Sequence, residues 1–74
     1  MSEVRADIAA NVWQVLVEEN QHVEAGEELL ILESMKMEIP VEAPSAGVVT
    51  GLAVAPGDTV NAGDLLLRIE VQEP

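Results

Sequence analysis

The chain has no cysteine and a single histidine, His22. That excludes a disulfide framework, a thiol nucleophile and a zinc site of the usual Cys/His type. Aromatic residues are nearly missing too: Trp13 stands alone, with no Phe and no Tyr. Positive charge is as scarce. Lys36 is the only lysine, and Arg5 and Arg68 complete the basic inventory against fourteen acidic residues, a net charge of −11. Such a surface repels phosphate backbones and anionic lipid, so neither nucleic acid nor a membrane is expected as a partner. Long hydrophobic runs are absent as well. The longest, residues 29–32 and 52–55, are four residues each, too short for a membrane span or a signal-peptide core. A cytoplasmic location is the resulting expectation.

What is present fits one small domain. Apolar residues make up 49% of the 74 positions, enough for a single core of marginal size. Eleven Val and four Ile favour a pleated, half-buried backbone.

The chain is also a tandem repeat. Displaced by 37 positions, residues 4–33 align with 41–70 without a gap, and eleven of the thirty pairs are identical. The matching residues include apolar ones, such as Leu29/Leu66 and Leu30/Leu67, and turn residues, such as Gly26/Gly63. Spacing of two in Val15/Val17, Leu52/Val54, Leu30/Leu32 and Leu67/Ile69 is the period of a half-buried strand. Ile31 and Arg68 then face outward. Leu29 and Leu66 break this parity, so a bulge or a strand end is expected at each. Turns are read at 19–20, 25–27, 56–58 and 62–64, and Pro40 and Pro44 flank the next strand start, where proline implies an edge strand or a strand terminus.

Neither half can bury its apolar face alone. The expected fold is therefore all-β: a flattened eight-stranded antiparallel barrel or sandwich with an internal pseudo-two-fold repeat, a barrel-sandwich hybrid. Residues 1–74 form one domain in this reading, with units 4–33 and 41–70 joined by a hairpin over 34–40. The axis places that hairpin at one tip and the tail Val71-Gln72-Glu73-Pro74 at the other.

The joining hairpin carries Glu33-Ser34-Met35-Lys36-Met37-Glu38. A tight β-turn favours Asn-Gly or Asp-Gly, and turn geometry asks for nothing like Met-Lys-Met. Either the methionines tuck into the core or they are displayed for recognition.

This segment resembles the attachment signature of the biotinyl domain of biotin carboxyl carrier proteins, Glu-Ala/Ser-Met-Lys-Met/Leu. The resemblance runs over residues 4–70 and is closest to the small stand-alone biotin/lipoyl attachment proteins. It implies covalent biotin in amide linkage on Lys36, with Met35 and Met37 read by biotin protein ligase. Glu33 matches an acidic position of the motif, although Glu70 occupies the symmetric place with no lysine beside it. Lipoyl domains usually have Asp-Lys-Ala at this place, so the methionines favour biotin over lipoate. The implied partners are the ligase, a biotin carboxylase and a carboxyltransferase, and the isolated chain is expected to be a monomer. Some such domains carry a protruding thumb in the first half; the gapless repeat leaves no room for one here.

The implied protein is a non-catalytic carrier. Ser34 has no histidine near it in sequence, and His22 aligns with Thr59 at a turn, as a solvated loop residue. The carboxylates read as solvated faces and not as a metal cluster. An acyl carrier protein would be helical, against the strand signals here. Two other readings remain: a lipoyl carrier on the same lysine, and an unmodified interaction module of the same fold.

Overall fold

The computed structural model describes residues 2–71. It contains eight strands and no helix among them: β1 Ser2–Arg5, β2 Ala10–Val15, β3 His22–Val23, β4 Glu28–Ser34, β5 Met37–Glu42, β6 Gly47–Thr50, β7 Thr59–Val60 and β8 Leu65–Glu70. They form two antiparallel four-stranded sheets, ordered β1-β8-β6-β3 and β5-β4-β2-β7. The sheets face each other as a sandwich and do not close into a barrel. Each sheet draws strands from both halves of the chain, so the halves interleave through the core instead of packing side by side.

The pseudo-two-fold relation reaches the level of single hydrogen bonds. In the β4–β5 hairpin, Leu30 pairs with Val41, Ile31 with Pro40 and Leu32 with Ile39. Thirty-seven residues on, β8 and β1 repeat this as Leu67 with Val4, Arg68 with Glu3 and Ile69 with Ser2. Outside the ladders, Leu16 N–H donates to the Leu29 carbonyl as Ala53 N–H does to Leu66 (2.9 Å each). Residues 72–74 of the tail, expected above at the tip opposite the hairpin, lie outside the described residues.

The expected breaks in parity are real. The β4–β5 register shifts between Glu28 and Leu30, and the β1–β8 register shifts opposite Leu66. These bulges let Leu29 face inward beside Leu30, and Leu66 beside Leu67; all four are fully buried. Around them the core gathers Val12, Val23, Leu32, Val49, Val60 and Ile69.

Three local expectations need correction. Val17, Leu52 and Val54 lie beyond the ends of β2 and β6, although Val17 is buried. Pro40 sits inside β5 and not at a strand start, so of the two expectations for it the edge strand holds and the terminus does not. The proline is tolerated because β5 is an edge strand, whose missing N–H deprives no neighbour of a bond. His22, read as a loop residue, pairs with Val48 in the short strand β3, where it remains exposed.

Several carboxylates also do more than solvate a face. The side chains of Gln21, Glu27, Asp58 and Asp64 each accept the backbone N–H three residues earlier, closing four equivalent turns. Glu19 has no equivalent: its carboxylate accepts from Gly51 N–H and Leu52 N–H, both at 2.9 Å. Glu3 accepts from Arg5 at 2.9 Å and lies 3.5 Å from Arg68. The Arg5 hydrogen bond first, then the charges of both guanidinium groups, hold its carboxyl below the usual range.

Leu32 and Ile69 occupy symmetric, buried places, so Leu32→Ala and Ile69→Ala are each expected to destabilise the fold by about 2–5 kcal/mol in urea unfolding. Ile31→Ser, on the outward face of β4 next to Leu32, is expected to cost clearly less; a larger loss there would reverse the assigned parity.

Candidate functional site

The hairpin β4–β5 narrows to a two-residue turn. Ser34 pairs with Met37, leaving Met35 and Lys36 as its central residues. A two-residue loop between right-twisted strands favours a type I′ turn, with positive φ at both central positions, or a type II′ turn, with positive φ at the first. Met35 has φ 53° and Lys36 has φ 65°. Glycine, asparagine or aspartate adopts this conformation readily, whereas a longer side chain brings its Cβ against the backbone, at roughly 1–2 kcal/mol per residue. The ladder on either side holds the turn in this conformation.

Both methionines are displayed: Met35 is 91% exposed and Met37 is 62% exposed. A core role for either is thereby excluded. Lys36 is exposed as well. Among the described residues, the ion pairs are those of Glu3 with Arg5 and Arg68, so the other two cations are engaged and Lys36 is left without one. The site is thus a primary amine at the tip of a molecule measuring 41 × 17 × 17 Å, between two apolar side chains.

The carboxylates near the tip come in a pair that sequence inspection missed. Glu33 on β4 lies directly opposite Glu38 on β5, one step below Ser34 and Met37, and both are exposed. Both carboxylates stand close to Lys36 in the sequence; the register adds that they lie directly opposite each other. Neither is paired with Lys36 among the described residues. No group of three or more metal-ligating side chains assembles among these residues, and His22 stands apart on the β3 edge of the other sheet.

This arrangement presents an exposed primary amine on a two-residue turn. It assembles no base and nucleophile of its own.

Comparison with known proteins places this geometry in a context. The biotin/lipoyl family, described as "Biotin-requiring enzyme", matches residues 1–69. The "Biotinylated protein TB7.3 homolog" of Mycobacterium leprae is 50% identical over 67 residues, covering 90% of this chain and 94% of that one. The "Biotin/lipoyl attachment protein" of Bacillus subtilis is 46% identical over 66 residues, covering 89% and 90%. Among solved structures, Kluyveromyces lactis urea carboxylase superposes with a TM-score of 0.87 at 33% identity, over 93% of this chain but only 6% of the carboxylase. The lipoyl domain of the Azotobacter vinelandii 2-oxoglutarate dehydrogenase complex, at 22% identity, shares the fold with a TM-score of 0.86 over 99% of this chain.

Exchanging Met35-Lys36 for Asn-Gly is expected to raise stability by about 1–2 kcal/mol, because it relieves two positive-φ side chains while glycine gives part of that gain back as freedom of the unfolded chain. Urea unfolding of the double variant tests this, and no gain would mean that the turn holds no strain.

Proposed function

Because the chain belongs to the biotin/lipoyl attachment family, we propose that its cofactor is biotin, amide-linked to the ε-amine of Lys36. As a member of that family it is a non-catalytic carrier of a covalently bound biotin or lipoate. The observation that carries the choice of residue is the display of Lys36 on the strained turn, flanked by two exposed methionines and without an ion pair among the described residues. Exposed methionines add nothing to the core, and a turn of this shape favours other residues. Recognition by a second protein accounts for both.

The fit is chemical as well as spatial. Amide formation needs a primary amine that is accessible and not tied up in an ion pair, and the only lysine of the chain meets both conditions. When bound, biotin supplies reversible carriage of a carboxyl group. Everything else is the work of this chain's own residues. The turn projects the arm beyond the sheets, and the leucine-rich core keeps its base rigid, so the tethered group swings about a fixed point. Tethering raises the effective concentration of the carried group at a second site to the order of mM for a short flexible link.

The partners in this reading are a biotin protein ligase that reads Met35 and Met37, a biotin carboxylase that loads the arm, and a carboxyltransferase that unloads it. The choice of biotin over lipoate rests on the Met-Lys-Met sequence and on the biotin-named relatives.

The intact mass of protein isolated from its native host tests the assignment. A biotin adduct is expected; a lipoyl adduct or an unmodified chain would overturn it. Lys36→Arg should fold as the parent does and take up no biotin from ligase, ATP and biotin, because a guanidinium is a poor acyl acceptor.

Replacing Met35 by Asp and Met37 by Ala should weaken biotinylation and admit lipoylation. Because both side chains are exposed, the stability change should stay within about 1 kcal/mol. A larger loss in thermal unfolding would assign the methionines to packing.

A further inference from the structure

The pseudo-two-fold axis supplies a comparison inside one molecule. On the outward face of the sheet that bears the lysine hairpin, Ile31 lies opposite Pro40 on β5 and Gln14 on β2. Trp13 is the extra residue of the β2 bulge. Trp13 is 45% exposed, Pro40 is exposed and Ile31 is half-buried. The symmetric positions on the other sheet are Thr50, Arg68 and Glu3. There Thr50 pairs with Arg68, and the Arg68 guanidinium lies 3.5 Å from the Glu3 carboxylate. Apart from Gln14, which shares the bulge with Trp13, the same structural row is therefore apolar on one sheet and polar on the other. Nothing in the fold requires an apolar outward row, because its twin manages without one.

The row is bordered by charge of one sign. Glu33 opposite Glu38 separates it from the turn, and Glu28 opposite Glu42 closes its far side. Like charges placed directly opposite one another destabilise a strand pair. Two such pairs in one hairpin work against folding and provide complementarity to something basic. An exposed tryptophan at the centre of a patch is the kind of anchor that dominates protein interfaces.

We propose that this face, with Trp13, Ile31 and Pro40 at its centre and the two glutamate pairs at its borders, docks the ligase that acylates Lys36. The matching surface of that enzyme is an apolar patch edged by Arg or Lys. The inference rests on the proposed attachment of biotin at Lys36. Reach selects the ligase over the enzymes served later. Lysine has a stem of only four carbons, so an enzyme that draws the bare amine into its cleft must close against the hairpin itself. Ile31 lies three residues below Ser34, about 10 Å along the strand at the strand rise of roughly 3.3 Å per residue. An enzyme served by the longer, loaded arm has no such need.

The test uses the full chain with purified biotin protein ligase, ATP and biotin. In one variant, Trp13→Thr, Ile31→Arg and Pro40→Glu together copy the row of the sister sheet, which this fold already accommodates. The expected result is a rise in KM for the carrier of roughly ten-fold or more, the loss typical of an interface anchor, with kcat within about two-fold. If the triple variant melts well below the parent, Trp13→Thr alone is read in the same way, with a KM rise of about three-fold or more expected.

The parent KM should also rise with salt, and Glu33→Gln with Glu38→Gln should blunt that dependence. An unchanged KM in a folded variant, or a parent KM indifferent to salt, would overturn the docking face while leaving Lys36 as the acylated residue. Failure of the parent itself to take up biotin would remove the assignment of biotin to Lys36 and the docking face with it.

Discussion

Two adjacent residues of a regular strand point to opposite faces, yet Leu29 and Leu30 are both fully buried, as are Leu66 and Leu67. The bulges in the β4–β5 and β1–β8 ladders resolve the conflict. Much else depends on them. They let two short halves without cysteine and nearly without aromatics fill one core with aliphatic side chains. They also release the Leu29 and Leu66 carbonyls to accept Leu16 N–H and Ala53 N–H, which tie the segments after β2 and β6 to the same sheets. Beyond the bulge in β4 the alternation resumes. It sends Leu30 and Leu32 inward, Ile31 and Glu33 outward, and delivers the strand to its turn in the register that presents Lys36.

Much of this was legible in the sequence, because a repeat states its own geometry. The 37-residue displacement aligns Leu29 with Leu66, Ile31 with Arg68 and Gly26 with Gly63, and these matches implied bulges, outward positions and turns before any coordinates. The boundaries were less legible. Val17, Leu52 and Val54 keep the period of a strand without belonging to one, because burial and ladder pairing are separate properties and apolar periodicity reports only burial. Pro40 signalled an edge or a terminus, and a lone proline does not say which of the two applies. At the site, Lys36 and its methionines stood out as residues unsuited to a turn. The opposition of Glu33 and Glu38, and the face shared by Trp13 and Pro40, depend on cross-strand register, which no local pattern reveals.

The turn itself joins stability to function. A fold that sought only stability would place Asn-Gly at residues 35 and 36; this chain places two long side chains there, both at positive φ. The strain is local because the ladder beneath it, from Ser34 with Met37 down to Leu30 with Val41, is continuous and rests on the core. A rigid base and an exposed tip are complementary requirements in a carrier. The base fixes where the arm starts, and the tip must enter the clefts of other proteins without unfolding anything.

The register of β1 with β8 has a topological meaning. Ser2 stands beside Ile69 as Ile39 stands beside Leu32, so the sheet passes over that point as though a hairpin had been cut there. The molecule is in effect a ring of two equal arcs, opened at one of two equivalent places. A circular permutant that bridges the β8–β1 side with a short turn and opens between Met35 and Lys36 would keep every strand pairing described above, with the lysine now at a chain end. A second lysine turn built into that bridge would give the ring two arms pointing in opposite directions. Which arc bears the amine is a property of a few turn residues and not of the architecture.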